Sequence, residues 1–119
     1  MQDYRDLKVW EKAHQFVLTV YKYTQTFPKE EKYGLKSQLR RAAASIPANI
    51  AEGAGRGTAS ELAQFIQIAA GSAGEADYLL YLCGDLDYIG EDEYGKLSGE
   101  LTEIRKMLTA LIKTLRSKN

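Results

Sequence analysis

The chain has almost nothing with which to cross-link itself or hold a metal: one cysteine, Cys83, and one histidine, His14, in 119 residues. A single cysteine excludes an internal disulfide and suits a reducing compartment. Prolines are scarce as well, Pro28 and Pro47 only, which leaves long stretches free to run as helix. No apolar run approaches the roughly 18 residues of a membrane span. The opening residues MQDYRDLK lack the apolar centre of a signal peptide. A soluble cytoplasmic protein is therefore the expectation. Neither sign of charge dominates, with 16 basic and 16 acidic residues and a net charge of zero. That argues against a chain built chiefly to neutralise nucleic-acid phosphates, while leaving room for a local basic patch.

What is present is helical periodicity, and it is organised around Leu35 to Gly57. Leu35, Leu39, Ala42, Ala43, Ile46 and Ile50 recur every three or four positions. Pro47 interrupts the hydrogen bonding of that pattern and presses on the carbonyl of Ala43, at about 3 kcal/mol if the helix stayed straight. Because the apolar pattern continues through Ile50, the reading is one bent helix and not two. Ala42, Ala43, Ala44, Ala48 and Ala51 are small enough to admit a close neighbour, and Gly53, Gly55 and Gly57 are expected to stop the helix.

The first helix is expected from about Asp6, as its cap, to about Thr26. It carries two adjoining apolar faces: Leu7, Trp10, His14, Val17 and Tyr21, and beside it Val9, Ala13, Phe16, Val20, Tyr23 and Phe27. Together they cover an arc of roughly 220°, about twice what one core-facing stripe needs. The surplus points to a second buried surface, most simply another copy of the chain, with Val9, Trp10, Phe16 and Val20 as the candidate interface. Thr58-Ala59-Ser60-Glu61 has the pattern of a capping box opening a third helix. Its seam is Leu62, Phe65, Ala69, Ser72, Ala76, Leu79, Cys83 and Leu86. Small residues from Ala69 to Gly74 predict a close crossing with the second helix, with Gly71 and Gly74 serving that packing. Leu97, Leu101, Ile104, Leu108, Leu111 and Leu115 mark a fourth helix. Short connections make successive helices antiparallel. The expected architecture is all-α: one domain over residues 1–119, an up-down-up-down antiparallel four-helix bundle with its second helix bent at Pro47.

No catalytic constellation assembles. Glu11-Lys12-Ala13-His14 has the Glu-x-x-His spacing of di-metal bundles, but those sites need two such pairs and further glutamates, so no metal or cofactor is expected. Gly53-Ala54-Gly55-Arg56-Gly57 resembles a phosphate-binding loop, yet it follows a helix and lacks the Lys-Ser/Thr ending, so it reads as an interhelix turn. Cys83 falls on an apolar seam and reads as a small hydrophobe. Glu52 and Glu75 lie near the small-residue centre, where a carboxylate would need partners such as Arg40, Arg41 or Asn49. Lys32, Lys36 and Arg40, spaced i, i+4, i+8, with Arg41 and Arg56 nearby, form a basic stripe suited to phosphates. The same stripe could instead pair with the acids Asp85, Asp87, Glu91, Asp92 and Glu93.

Asp6-Leu7-Lys8-Val9-Trp10, Phe27-Pro28-Lys29-Glu30-Glu31, Ser37-Gln38-Leu39-Arg40-Arg41-Ala42-Ala43 and above all Ser45-Ile46-Pro47-Ala48-Asn49-Ile50-Ala51-Glu52-Gly53 resemble the bacterial four-helix bundle family of 23S rRNA intervening-sequence proteins. Ser45, Ile46, Pro47, Asn49, Glu52 and Gly53 carry the most specific part of that resemblance. It implies a small helical bundle without catalytic residues. Related proteins, including accessory proteins of diversity-generating retroelements, form homopentameric rings and bind nucleic acid and a reverse transcriptase through a strongly basic surface. This chain differs from those in being neutral.

The expectation is a non-enzymatic homo-oligomer, a pentamer if it follows the resemblance. It would act as a binding or scaffold module towards RNA or a nucleic-acid-processing protein, with Lys36, Arg40, Arg41 and Arg56 as phosphate contacts. The alternatives are a protein–protein adaptor that binds no nucleic acid and a metal-dependent bundle enzyme.

Overall fold

A computed structural model of the chain describes residues 3–117, and among them there are four α-helices and no strand. These are α1 (Lys8–Tyr23), α2 (Leu35–Ala54), α3 (Ala59–Asp85) and α4 (Glu91–Arg116), with single 3-10 turns at Tyr4–Asp6 and Lys29–Glu31. Ser45 faces Ser72 and Gly53 faces Phe65, so α3 ascends as α2 descends. Gly84 meets Tyr94, Asp77 meets Arg105 and Gln67 meets Arg116, so α4 is antiparallel to α3. Helix α1 lies against both α2 and α4 and closes the bundle, which is 47 Å long and about 20 Å across. No helix among the described residues is long and apolar enough to cross a membrane.

The helix ends follow local chemistry, with one displacement. Thr58 caps α3 as expected: its hydroxyl oxygen accepts from the Glu61 amide at 3.1 Å, while the hydroxyl donates to the Glu61 carboxylate at 3.0 Å. Asp6 does not cap α1. Asp3 takes that kind of role one turn earlier, accepting from the Arg5 amide at 2.9 Å, and α1 then starts behind Leu7 with no side-chain cap. Helix α2 is continuous through Pro47, itself buried. Of the three glycines expected to end α2, only Gly57 is left-handed, with φ +92°, and Gly53 is still helical.

Gly53 has a different use. A Cβ there would lie 2.7 Å from the Cβ of Phe65 and 3.0 Å from a Leu62 methyl, so the α2–α3 approach requires its absence. The small-residue centre follows the same logic, because Ala42, Ala43, Ala69, Ala73 and Ala76 are all buried where the two most extensively packed helices cross. Gly71 and Gly74 do not serve this packing, contrary to the pattern reading. Once Ala69, Ala73 and Ala76 take the seam, helical phase turns Gly71 to solvent, where nothing would touch an added Cβ. The rest of the α3 seam is broader than expected, since Ala63, Ile66 and Leu80 are buried and Leu86 is 46% exposed. On α4 the stripe Leu97, Leu101, Ile104, Leu108 and Leu115 is buried, and Leu111 packs against it.

The two faces of α1 separate cleanly, and this corrects the interface reading. Val9, Ala13, Phe16 and Val20 are the subunit's own core, with Phe16 and Val20 at 0% exposure. Val9, Phe16 and Val20 therefore have no side-chain surface to offer another copy. Trp10 alone of the four stays on the rim, half-buried, its ring stacked on His14 at 4.9 Å and met edge-on by Tyr4 at 5.0 Å. What α1 leaves outward is its other face, Leu7, Trp10, His14, Val17 and Tyr21, with Leu18 at 50% exposure.

One end of the bundle is tied by a carboxylate. Glu31 accepts from the Leu35 amide at the start of α2 and from the Tyr88 hydroxyl beyond α3, both at 2.9 Å. The amide bond first, then the hydroxyl, hold its pKa below the usual glutamate range. A depressed folded-state pKa contributes stability above the unfolded value, about 4.3, and loses it as pH falls through the folded one. Glu31→Gln should therefore melt below the parent at pH 7, with the gap closing in acid; thermal melts across pH check this, and a gap that widens below pH of about 4 contradicts it. The two glycines should also part company. Gly71→Ala should raise unfolding free energy by about 1 kcal/mol, whereas Gly53→Ala should lower it by roughly 1–3 kcal/mol through overpacking, both read by denaturant titration.

Candidate nucleic-acid interface

The residues that gather into a site lie where α1 ends and α2 begins. Lys32, Lys36, Arg40 and Arg41, with Tyr21, Tyr33 and Ser37, line one shallow cleft of about 340 Å³. Lys32 sits in the turn before α2, not on the helix, but its side chain reaches the same cleft. None of the four cations is ion-paired among the described residues; the ion pairs there join Arg5–Asp3, Lys12–Glu103, Arg56–Glu52 and Arg105–Asp77.

Arg40 is held in place by the end of α1. Its Nε donates to Thr24 Oγ1 at 2.8 Å and its Nη2 to the Tyr21 carbonyl at 3.1 Å, with the guanidinium 4.3 Å above the Tyr21 ring. The Thr24 hydroxyl, buried, passes its own proton to the Val20 carbonyl at 2.8 Å. A planar cation fixed at two donors keeps the remaining N–H groups for an external acceptor. Arg41 and Lys32 are exposed and Lys36 is half-buried, so the cleft combines one hydrogen-bonded cation with three whose side chains make no hydrogen bond among the described residues. The acids Asp85, Asp87 and Glu91 do not pair with this stripe. They line a separate cleft with Tyr81 and Tyr94 between the ends of α3 and α4.

Arg56 does not join the set. It lies past the far end of α2, roughly 24 Å along the axis from Arg40, paired with Glu52 at 3.3 Å and stacked 4.9 Å over Phe65. Of the four expected phosphate contacts, the structure brings Lys36, Arg40 and Arg41 into one cleft and leaves Arg56 apart, while Tyr21, Tyr33 and Thr24 join the cleft without having been expected there. The recurring Lys-Tyr neighbours, Tyr21-Lys22-Tyr23 and Lys32-Tyr33, were the available signal, since cations interleaved with aromatics favour nucleic acid.

The signature residues turn out to be packing. Ser45 and Ser72 hydroxyls bond across α2 and α3 at 2.8 Å, and the Asn49 amide donates to the Ser45 carbonyl and hydroxyl at 2.8 and 2.9 Å. Ile46 and Pro47 are buried. Glu52 and Glu75 are both exposed, so neither is the buried carboxylate in want of partners that their positions suggested.

Elsewhere the chemistry is sparse. Among the described residues no three His, Cys, Asp or Glu side chains come together to hold a metal. Cys83 is fully buried and burial pushes its thiol up to about 11, which leaves it protonated and unreactive at neutral pH. A second cleft between α1 and α4 holds Glu11, Glu100 and Glu103 beside Lys8 and Lys12. Burial raises the Glu100 pKa there, and its Oε2 has no hydrogen-bond partner.

No curated protein sequence matches the chain. Among solved structures it is similar to a crystal structure of a protein of unknown function from the S23 ribosomal protein family of Bacteroides thetaiotaomicron. The two share 28% identity over 88% of this chain and 98% of the other, with a TM-score of 0.79. The family model for the 23S rRNA-intervening sequence protein matches residues 5–110, and it is to this family that the chain belongs.

Proposed function

We propose that this protein is a non-enzymatic, self-associating helical-bundle module that binds RNA through Lys32, Lys36, Arg40 and Arg41. The observation that carries the reading is the convergence of these four cations, none of them ion-paired among the described residues, in one cleft of a chain with zero net charge. In such a chain the field is local, so binding depends on this cleft and not on overall charge. The family description names 23S rRNA, which favours RNA among the polyanions the cleft could hold. Oligomerisation would repeat the cleft and raise avidity through effective concentration.

Self-association rests on the outward face of α1: Leu18, half exposed, and the half-buried Leu7, Trp10, His14 and Val17 form an apolar strip that the subunit covers only in part. Related ring-forming proteins make a pentamer the first expectation. A protein–protein adaptor is the second reading, favoured by Ile68, Tyr78 and Tyr81 on α3, each more than half exposed.

A gel shift against a structured RNA with paired and unpaired segments tests the first part. With four cations releasing roughly 0.7–0.9 counterions each, the plot of log affinity against log salt should slope between about −3 and −4. Lys36→Gln with Arg41→Gln should make that slope shallower by about 1.5 without lowering thermal stability. Absence of binding at low salt overturns the RNA reading. Sedimentation at micromolar concentration tests the second part: an oligomer is expected, dispersed by Leu18→Glu, and a stable monomer defeats it.

A further inference from the structure

Resting on that reading of the basic cleft, we infer that its ligand is an unpaired stretch of RNA, with one base stacked on Tyr33 and neighbouring phosphates on Lys36 and Arg41. Tyr33 is 85% exposed, more than any other large hydrophobic side chain left in water among the described residues. One exposed tyrosine is ordinary. This one stands in a cleft with four cations, next to a second ring, Tyr21, that is 43% exposed. Lys32 Nζ lies 5.3 Å from the Tyr33 centroid, and the Arg40 guanidinium covers one side of Tyr21 at 4.3 Å. Each of the two rings therefore has a cation over it within one cleft, and rings combined with cations are the composition of a platform for single strands.

The combination of rings and cations decides between strand classes. A duplex presents phosphates but keeps its base faces stacked on one another, so it could use the cations and leave the Tyr33 ring idle. An unpaired segment uses both. The bundle supplies an internal comparison in Tyr78 and Tyr81, which are 61% and 58% exposed. Tyr81 lines the cleft of Asp85, Asp87 and Glu91, whose charge repels phosphate. Exposure of tyrosine is thus common to both sides of the molecule, but among the exposed tyrosines described, Tyr21 and Tyr33 are the ones with a cation over the ring.

Fluorescence anisotropy with a labelled unpaired RNA of about ten nucleotides, and with a duplex of equal length, tests this on the full chain. The unpaired strand should bind the more tightly. Tyr33→Ala should weaken it about tenfold, by analogy with other stacking residues, while leaving its salt slope and the duplex affinity unchanged. Tyr33→Phe should retain the parent affinity, since the ring and not the hydroxyl carries the contact. Because Tyr33 is exposed, its variants should melt with the parent, and a melting curve verifies that. Equal binding of strand and duplex, an unaffected Tyr33→Ala, or a Tyr33→Phe as weak as Tyr33→Ala overturns the inference, and the RNA reading survives if Lys36→Gln with Arg41→Gln weakens binding. Failure of every RNA to bind at low salt removes that reading and this inference together.

Discussion

The close crossing of α2 and α3 is the constraint on which the rest of the bundle depends. With Gly53 against the Cβ of Phe65 and Ala42, Ala43, Ala69, Ala73 and Ala76 buried, two backbones approach to a separation that larger side chains would forbid. Close approach removes volume from the core but gains contact per residue, since packing at interior density rewards every filled gap. It also brings Ser45 and Ser72 within hydrogen-bond distance at the partly buried edge of the crossing. A hydroxyl pair there has specificity value, because sliding either helix by a turn would leave the Ser72 hydroxyl without its partner and Ser45 with Asn49 alone. Large side chains fill the core around that crossing, Leu39, Ile46 and Ile50 on α2, Ile66 and Leu80 on α3, Phe16 and Val20 on α1 and Leu101, Ile104 and Leu108 on α4.

This division explains what could be read from the sequence and what could not. Element existence followed from period: α4 shows its stripe of leucines and Ile104 at regular steps, and the structure buries five of the six expected positions. Thr58 and Glu61 announced the start of α3 because a cap is a local interaction. Helical phase in a run of small residues was not legible. Ala69, Ala70, Gly71, Ser72, Ala73 and Gly74 differ too little in hydrophobicity to say which face turns inward, so Gly71 was given a packing role at the crossing that it does not have. The face of α1 was ambiguous for the opposite reason. Both candidate strips are apolar, and only docking against α2 and α4 determines that Phe16 goes in and Tyr21 stays out.

The candidate site was legible as a charge pattern and not as a place. Spacing in sequence aligned Lys32, Lys36 and Arg40, with Arg41 beside them, because residues on one helix keep their phase. It also admitted Arg56, since a list of nearby basic residues carries no axial distance, and α2 is long enough to put that residue at the opposite end. Tyr33 escaped because it belongs to no periodic pattern, lying in the turn between Glu31 and Leu35. A residue with no packing role has no hydrophobic periodicity to betray it, and is for that reason more informative once its exposure is known.

The last turn of α1 joins core to cleft. Val20 is fully buried, and its carbonyl accepts the proton of Thr24, whose oxygen then accepts from Arg40. The position of the guanidinium is thus referred to the hydrophobic core through a chain of two short bonds, with the Tyr21 carbonyl as a second anchor. Holding a flexible side chain in one rotamer ordinarily costs on the order of 1 kcal/mol or more in entropy at the moment of binding. Here that cost falls on folding, offset by one part-buried and one exposed hydrogen bond and by a cation–π contact that is worth about 0.5–1 kcal/mol at such sites. Lysine at the same position would offer neither the planar fork nor the simultaneous reach to Thr24 and Tyr21. The anchored cation at position 40 must be directional, while Lys32, Lys36 and Arg41, without hydrogen bonds or ion pairs among the described residues, contribute charge and reach.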